Sequence, residues 1–131
     1  MQMIDVLIVE DNLIDQKILS SFLEEYDISY QIAKDGHEAK SHLKTTAFRL
    51  IFLDLGLPEM DGYQIADFIR LDLKIDTPIV AVTAYTIDEV KDKCFTKGMN
   101  ACFSKPIGKV VVVGILTQFL PEDKLNSTGD S

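Results

Sequence analysis

Five side chains able to do phosphate or metal chemistry stand at the ends of short apolar runs. Glu10 and Asp11 follow Val6 to Val9, and Asp54 follows Leu50 to Leu53. Thr83 closes the run that begins at Ile79, and Lys105 follows the short run Ala101 to Phe103, just before Pro106. Three carboxylates brought together repel one another, and without a cation at least one pKa must rise. A hard divalent ion with oxygen ligands relieves that repulsion. Mg²⁺ fits, because it needs only one or two carboxylates, keeps several waters and accepts phosphate oxygens. A lysine arriving from the other side adds a point charge suited to a phosphoryl group. A threonine hydroxyl can bond the same group. A carboxylate beside such a cation can act as nucleophile toward an activated phosphoryl group and become an aspartyl phosphate.

Those residues meet only if the runs between them are neighbouring strands. Val6 to Val9 reads as a strand buried on both faces, because it is apolar without alternation. Asn12 opens a helix with Asp15 at its third position, and Ile14, Ile18 and Phe22 share a face with Leu19 and Leu23. The second strand is predicted over Ile28 to Ala33. Asp35 and Glu38 cap a second helix, with Ala39 and Leu43 inward. Leu50 to Leu53 is the third strand, followed by a loop containing Pro58. Asp61 and Gln64 cap a third helix with Ile65, Phe68 and Ile69 inward. Ile79 to Thr83 is the fourth strand, and Thr86 and Glu89 form a capping box for a helix ending near Gly98. Ala101 to Phe103 is the fifth strand, and Val110 to Leu120 the last helix.

Five strands alternating with five helices imply an α/β fold, with a doubly wound parallel sheet covered on both faces. Right-handed crossovers favour the flavodoxin-like order 2-1-3-4-5. In that order strands one and three are adjacent, so their ends bring Glu10, Asp11 and Asp54 together. Ligands of open α/β sheets bind beyond these carboxyl ends.

The chain has 131 residues and a formal net charge of -8, with 47% apolar and 26% charged residues. One domain is expected, over residues 1–121, with a polar tail at 122–131. The hydrophobicity argues against disorder, and the acidity against direct nucleic-acid binding or docking on anionic membranes. No run reaches the roughly 18 apolar residues of a membrane span. No basic stretch precedes the early apolar run, so no signal peptide is expected, and the domain is placed in the cytoplasm. Cys94 and Cys102 match no metal or redox spacing and read as reduced thiols.

The pattern resembles the receiver domain of two-component response regulators over essentially residues 4 to 120. It is carried by Leu7-Ile8-Val9-Glu10-Asp11-Asn12, by the stretch Leu53-Asp54-Leu55-Gly56-Leu57-Pro58-Glu59-Met60-Asp61-Gly62, by Val82-Thr83-Ala84 and by Ser104-Lys105-Pro106. Each is weak alone; four in order, each at a strand's carboxyl end, are specific. The resemblance implies that Asp54 is the phosphoacceptor. Asp11 and Asp54 bind Mg²⁺ through side chains, Gly56 through its carbonyl, and Glu10 through a water. Thr83, Lys105 and the amide of Ala84 bind phosphoryl oxygens, and the Lys105–Pro106 bond is cis. The stretch Lys97-Gly98-Met99-Asn100 leading to Ser104-Lys105-Pro106-Ile107 is similar to receivers attached to hybrid sensor histidine kinases. It implies a phosphorelay with a sensor kinase or a histidine phosphotransfer domain as donor or acceptor, and an output domain or target protein. The only catalysis implied is the domain's own phosphorylation and dephosphorylation.

One position departs from the family. Receivers usually carry Tyr or Phe three residues before the site lysine, where this chain has Cys102. In the family that aromatic turns inward as the site threonine moves, so the Thr83–Cys102 switch is expected to be transmitted differently or to be shallow. Gly56 and Tyr85 stand at the positions that flank the path of the hydrolytic water in receivers.

Three other readings stand beside this one. A haloacid-dehalogenase-like phosphatase also uses an Asp nucleophile with Mg²⁺, but it places a second Asp where Gly56 stands and needs more chain. A flavin or nucleotide binder on the same fold would need glycine motifs that are missing here. A receiver-like module that only interacts suits chains lacking site residues, and all five are present. Asp61 reads as a helix cap, and Glu59, His37 and His42 as surface groups.

Overall fold

The structure is a computed structural model that describes residues 2–121. The expected tail, 122–131, lies outside the described residues. In chain order the elements are β1 (Gln2–Val9), α1 (Leu13–Glu25), β2 (Tyr30–Ala33), α2 (Gly36–Thr45) and β3 (Thr46–Asp54). Then come α3 (Gly62–Asp67), which runs into a π-helical turn (Phe68–Asp72), β4 (Ile79–Thr83), α4 (Ile87–Thr96), β5 (Ala101–Ser104) and α5 (Lys109–Phe119). All strand pairs are parallel, in the order β2-β1-β3-β4-β5. The expected architecture is therefore present.

Alternate strand residues feed two cores. Leu7, Val9, Ile51, Leu53, Ile79 and Ala81 pack under α2, α3 and α4. Val6, Ile8, Leu50, Phe52, Val80 and Val82 pack under α1 and α5. That two-sided burial is why the runs are apolar without alternation. It holds the strands in a register that sets Val9 beside Leu53 and Asp54 beside Val82. The ends of β1, β3 and β4 thus open on one side of the sheet.

Two strands are longer than their apolar runs. Gln2, Met3 and Ile4 pair with Thr46, Ala47 and Phe48, beyond the part of the sheet that is apolar throughout. In β1 the charged Asp5 is buried; it accepts from the Ser29 amide at 3.1 Å and lies 3.3 Å from Nε of Arg49. Conversely, β2 begins at Tyr30 rather than Ile28, because Ser29 is taken up by Asp5.

Helix α1 corrects the expected face. Its buried residues are Gln16, Leu19, Ser20 and Leu23, whereas Ile14 and Ile18 are exposed at 69% and 38%. Gln16 sets this rotation by donating from Nε2 to the backbone carbonyl of Glu10 at 2.7 Å. Ile14 and Ile18 lie two residues either side of Gln16, about 200° around the helix, and so turn outward.

The predicted caps divide. Asp61 and Gln64 form a reciprocal box, and Asp35 caps α2 through the Glu38 amide. Thr86 forms no side-chain cap to α4; its hydroxyl donates to the Glu89 carboxylate instead. Helix α4 is followed by Gly98 at φ +86°, a left-handed conformation that favours glycine. There the Gly98 carbonyl accepts from Nε and Nη2 of Arg70 on the π turn. None of the helices among the described residues is long and apolar enough to cross a membrane.

Candidate phosphoacceptor site

The site forms where β1, β3, β4 and β5 end. Glu10 and Asp54 are buried, Asp11 is exposed, and oxygens of the three lie within 4.8 Å of one another. The β1–α1 turn is fixed by hydrogen bonds. The Asn12 amide donates to Oε2 of Glu10 at 3.0 Å, and Asn12 Oδ1 accepts from the Asp15 amide to start α1. On the other side, the Gly56 amide donates to Oδ1 of Asp54 at 3.0 Å. Gly62 packs so closely against the end of β3 that a Cβ there would sit 2.7 Å from the Asp54 carbonyl oxygen. The start of α3 can reach that strand end only through glycine.

Lys105 crosses the cleft from β5. Its ammonium lies 2.7 Å from Glu10 Oε1, 3.1 Å from Asp54 Oδ2 and 3.1 Å from Asp15 Oδ2. Its backbone amide donates to the Thr83 carbonyl at 2.8 Å, and the Lys105–Pro106 peptide is cis, as expected. Thr83 is fully buried, with Oγ1 accepting from the Tyr85 amide at 3.0 Å. Thr83, Ala84 and Gly56 line the cleft together with Asp11, Asp54 and Lys105.

Charge is unbalanced here, with two buried carboxylates against one ammonium. Burial is the largest influence on Glu10 and raises it, hydrogen bonds from Lys105 and Asn12 oppose the rise, the Asp54 charge adds to it, and the balance lies at about 7. For Lys105, burial works against the charged form. Hydrogen bonding to Glu10 and the charges of Asp54 and Glu10 outweigh it and hold the ammonium well above its ordinary range. A carboxylate cluster with surplus negative charge and oxygen donors at one mouth suits a hard divalent cation.

All the expected site residues therefore gather at one cleft except Cys102. Its side chain belongs to the core beneath α4, with Sγ 3.7 Å from Sγ of Cys94. Burial, then the neighbouring Cys94, pushes the Cys102 thiol up to about 12. Both cysteines are free, in line with the reduced pair expected. Phe103 joins the opposite core, under α5. Sequence reasoning missed Asp15 as a member of the site and saw in it only a helix-start acid. It stands in the first turn of α1, three residues after the Asn12 cap, and joins the site through its contact with Lys105.

The sequence model of the response regulator receiver domain matches residues 6–117. The chain belongs to that family. The receiver is 35% identical to the osmosensing histidine protein kinase SLN1 of Saccharomyces cerevisiae over 122 residues, which is 88% of this chain and 10% of that protein. It thus spans between about a tenth and about a quarter of the length of the curated relatives it matches, several of them sensor histidine kinases. Among solved structures it is similar to the receiver domain of the response regulator Ssk1 of S. cerevisiae, crystallised with the histidine phosphotransfer signaling protein Ypd1. The two share 37% identity and a TM-score of 0.79, over 90% of this chain and 89% of that one. It is also similar to the receiver domain of the sensor histidine kinase PA1611 of Pseudomonas aeruginosa, which holds a magnesium ion in its active-site cleft. There the identity is 27% and the TM-score 0.79, over 88% of this chain and 96% of that one.

Proposed function

We propose that this receiver accepts a phosphoryl group from a phosphohistidine onto Asp54 in a phosphorelay. The observation that carries the reading is the placement of the Asp54 carboxylate, between the Lys105 ammonium and the Glu10–Asp11 acids at one open cleft. Asp11 and Asp54, the Gly56 carbonyl and, through a water, Glu10 would hold Mg²⁺. When bound, that ion offsets the charge that builds on the transferring oxygens.

An Asp54 oxygen attacks phosphorus in line with the leaving imidazole nitrogen. The P–O bond forms, the P–N bond breaks, and the imidazole departs neutral after taking a proton from solvent. Gly56 N–H orients Asp54 through Oδ1, leaving its other oxygen beside Lys105. Lys105, Thr83 Oγ1 and the Ala84 amide then bind the phosphoryl oxygens. Thr83 Oγ1 rests on the Tyr85 amide and would exchange that bond for one to the phosphoryl group by turning into the cleft. That exchange supplies two arrangements for a switch. Cys102 transmits it weakly, since its small side chain is already packed against Cys94. The receiver catalyses its own phosphorylation and dephosphorylation and turns over no external metabolite. It works in the cytoplasm and controls an output domain or a target protein.

A partner surface adjoins the site. Leu13 and Ile14, both about 70% exposed, line the cleft mouth, and Val110 at the start of α5 is 87% exposed. These exposed apolar side chains suit the apolar flank of a histidine-bearing helix, from a sensor kinase or a phosphotransfer domain. A receiver–phosphotransfer pair of that kind exists for Ssk1 and Ypd1. The test is transfer from a phosphohistidine-loaded phosphotransfer protein to the purified receiver. The label should move to the parent chain and fail to move to Asp54→Asn. Equal labelling of both would overturn the assignment of Asp54.

A further inference from the structure

Lys105 has its full complement of partners before any phosphoryl group arrives. An ammonium has three hydrogens to donate. Glu10, Asp15 and Asp54 all lie within 3.1 Å of Nζ. An incoming phosphoryl oxygen can bond to Lys105 only if one of the three carboxylates gives way. Glu10 and Asp54 are buried on strand ends, with side chains only 8% exposed. A buried carboxylate that loses its cation is left poorly solvated. Asp54 must also stay in place as the nucleophile. Asp15 differs, because its side chain is 36% exposed and sits on the first turn of α1, where water can take over its hydrogen bonds.

We propose that Asp15 is a positioning residue that competes with the phosphoryl group for Lys105 and so restrains phosphorylation. The inference rests on the reading of Asp54 as phosphoacceptor. Asp15 holds the ammonium over the cleft in the resting state and must release it to the phosphate. An amide at this position keeps the shape and an oxygen acceptor but loses the charge that makes it a strong competitor.

The experiment compares the parent chain, Asp15→Asn and Asp15→Glu, each also with Lys105→Met, after thermal melting verifies the fold. Two quantities are measured: the rate of adduct formation with a small acyl phosphate in Mg²⁺, and the affinity of the Mg²⁺-loaded, unphosphorylated protein for trifluoroberyllate, a phosphoryl mimic. Asp15→Asn should raise both by roughly two- to fivefold, the worth of a half-exposed ion pair. Asp15→Glu should stay near the parent. The gain should vanish when Lys105 is Met, since the competition acts through that ammonium. An unchanged or slower Asp15→Asn beside an active parent would overturn the role of Asp15. A gain that persists with Met at position 105 would also overturn it. A parent chain that takes no adduct would instead overturn the functional reading, and this inference with it.

Discussion

The ammonium of Lys105 and the carboxylate of Asp54 lie 3.1 Å apart although 51 residues separate them in the chain. They are joined because β3 and β5 both flank β4 and end on the same side of the sheet. The pair serves the resting fold as well as the proposed chemistry. Among the described residues Lys105 is the one lysine paired with Glu10 and Asp54, and replacing it by Met should remove that charge. The cation-free protein should lose about 1–3 kcal/mol, because buried acceptors lose a charged donor. Urea unfolding checks this, and added Mg²⁺ should return part of the loss by supplying charge to the same cluster.

Glu10 gives a pH dependence of opposite sign to that of most paired carboxylates. Its folded value, about 7, lies above the ordinary 4.5, so between those values the folded state binds a proton that the unfolded chain releases. The contribution of this group is fully present below pH 4.5 and is lost as pH rises through about 7. Without Mg²⁺, the parent chain should therefore gain stability relative to Glu10→Gln as pH falls from about 7.5 to 5.5. Paired urea titrations at the two pH values read the difference, and no difference would contradict the burial of a charged Glu10.

Gln16 ties α1 to the acid turn. Gln16→Leu leaves the buried Glu10 carbonyl without its side-chain donor, 2.7 Å away in the parent. A cost of about 1–2 kcal/mol is expected, together with weaker Mg²⁺ binding, because the turn carrying Asp11 loses its anchor. Urea midpoints and calorimetric Mg²⁺ titration check the two effects.

Gly62→Ala should be more harmful than a typical surface change. Its methyl would press on the Asp54 carbonyl and on Cα of Leu55, both backbone atoms. Overpacking of this kind costs about 1–3 kcal/mol. Since the strain falls at the end of β3, adduct formation at Asp54 should slow along with the loss in urea midpoint.

Val110→Asp tests the partner surface. Val110 is almost fully exposed, so the fold should tolerate the change. Transfer from a phosphohistidine protein should fall roughly tenfold, as for an anchor in an apolar contact. Adduct formation from a small donor should fall far less. Equal loss with both donors would place Val110 outside any docking surface.

The sheet and its order were legible because a doubly covered parallel sheet leaves apolar runs that end at the site. Glu10, Asp54 and Thr83 could be found by reading the first polar residue at each run's end, and Lys105 by reading one residue further, past Ser104 and just before Pro106. What could not be read depended on distance rather than pattern. Asp15 looks like any acid in a first helical turn until Lys105, 90 residues away, is placed beside it. The outward turn of Ile14 and Ile18 follows from one hydrogen bond of Gln16, and helical periodicity alone cannot select it. The buried Asp5 broke the apolar pattern of β1, and only its contacts with Ser29 and Arg49 explain its place there. The Thr86–Glu89 spacing matched a capping box, yet the two side chains satisfied each other.

The most direct test of the central claim is intact-mass analysis after incubation with a small acyl phosphate. It compares the parent chain with Asp54→Asn, each with and without Mg²⁺. The parent should gain the mass of one phosphoryl group only when Mg²⁺ is present, and Asp54→Asn should gain none. A parent chain that stays unmodified in Mg²⁺, or an equal adduct on Asp54→Asn, would contradict the account.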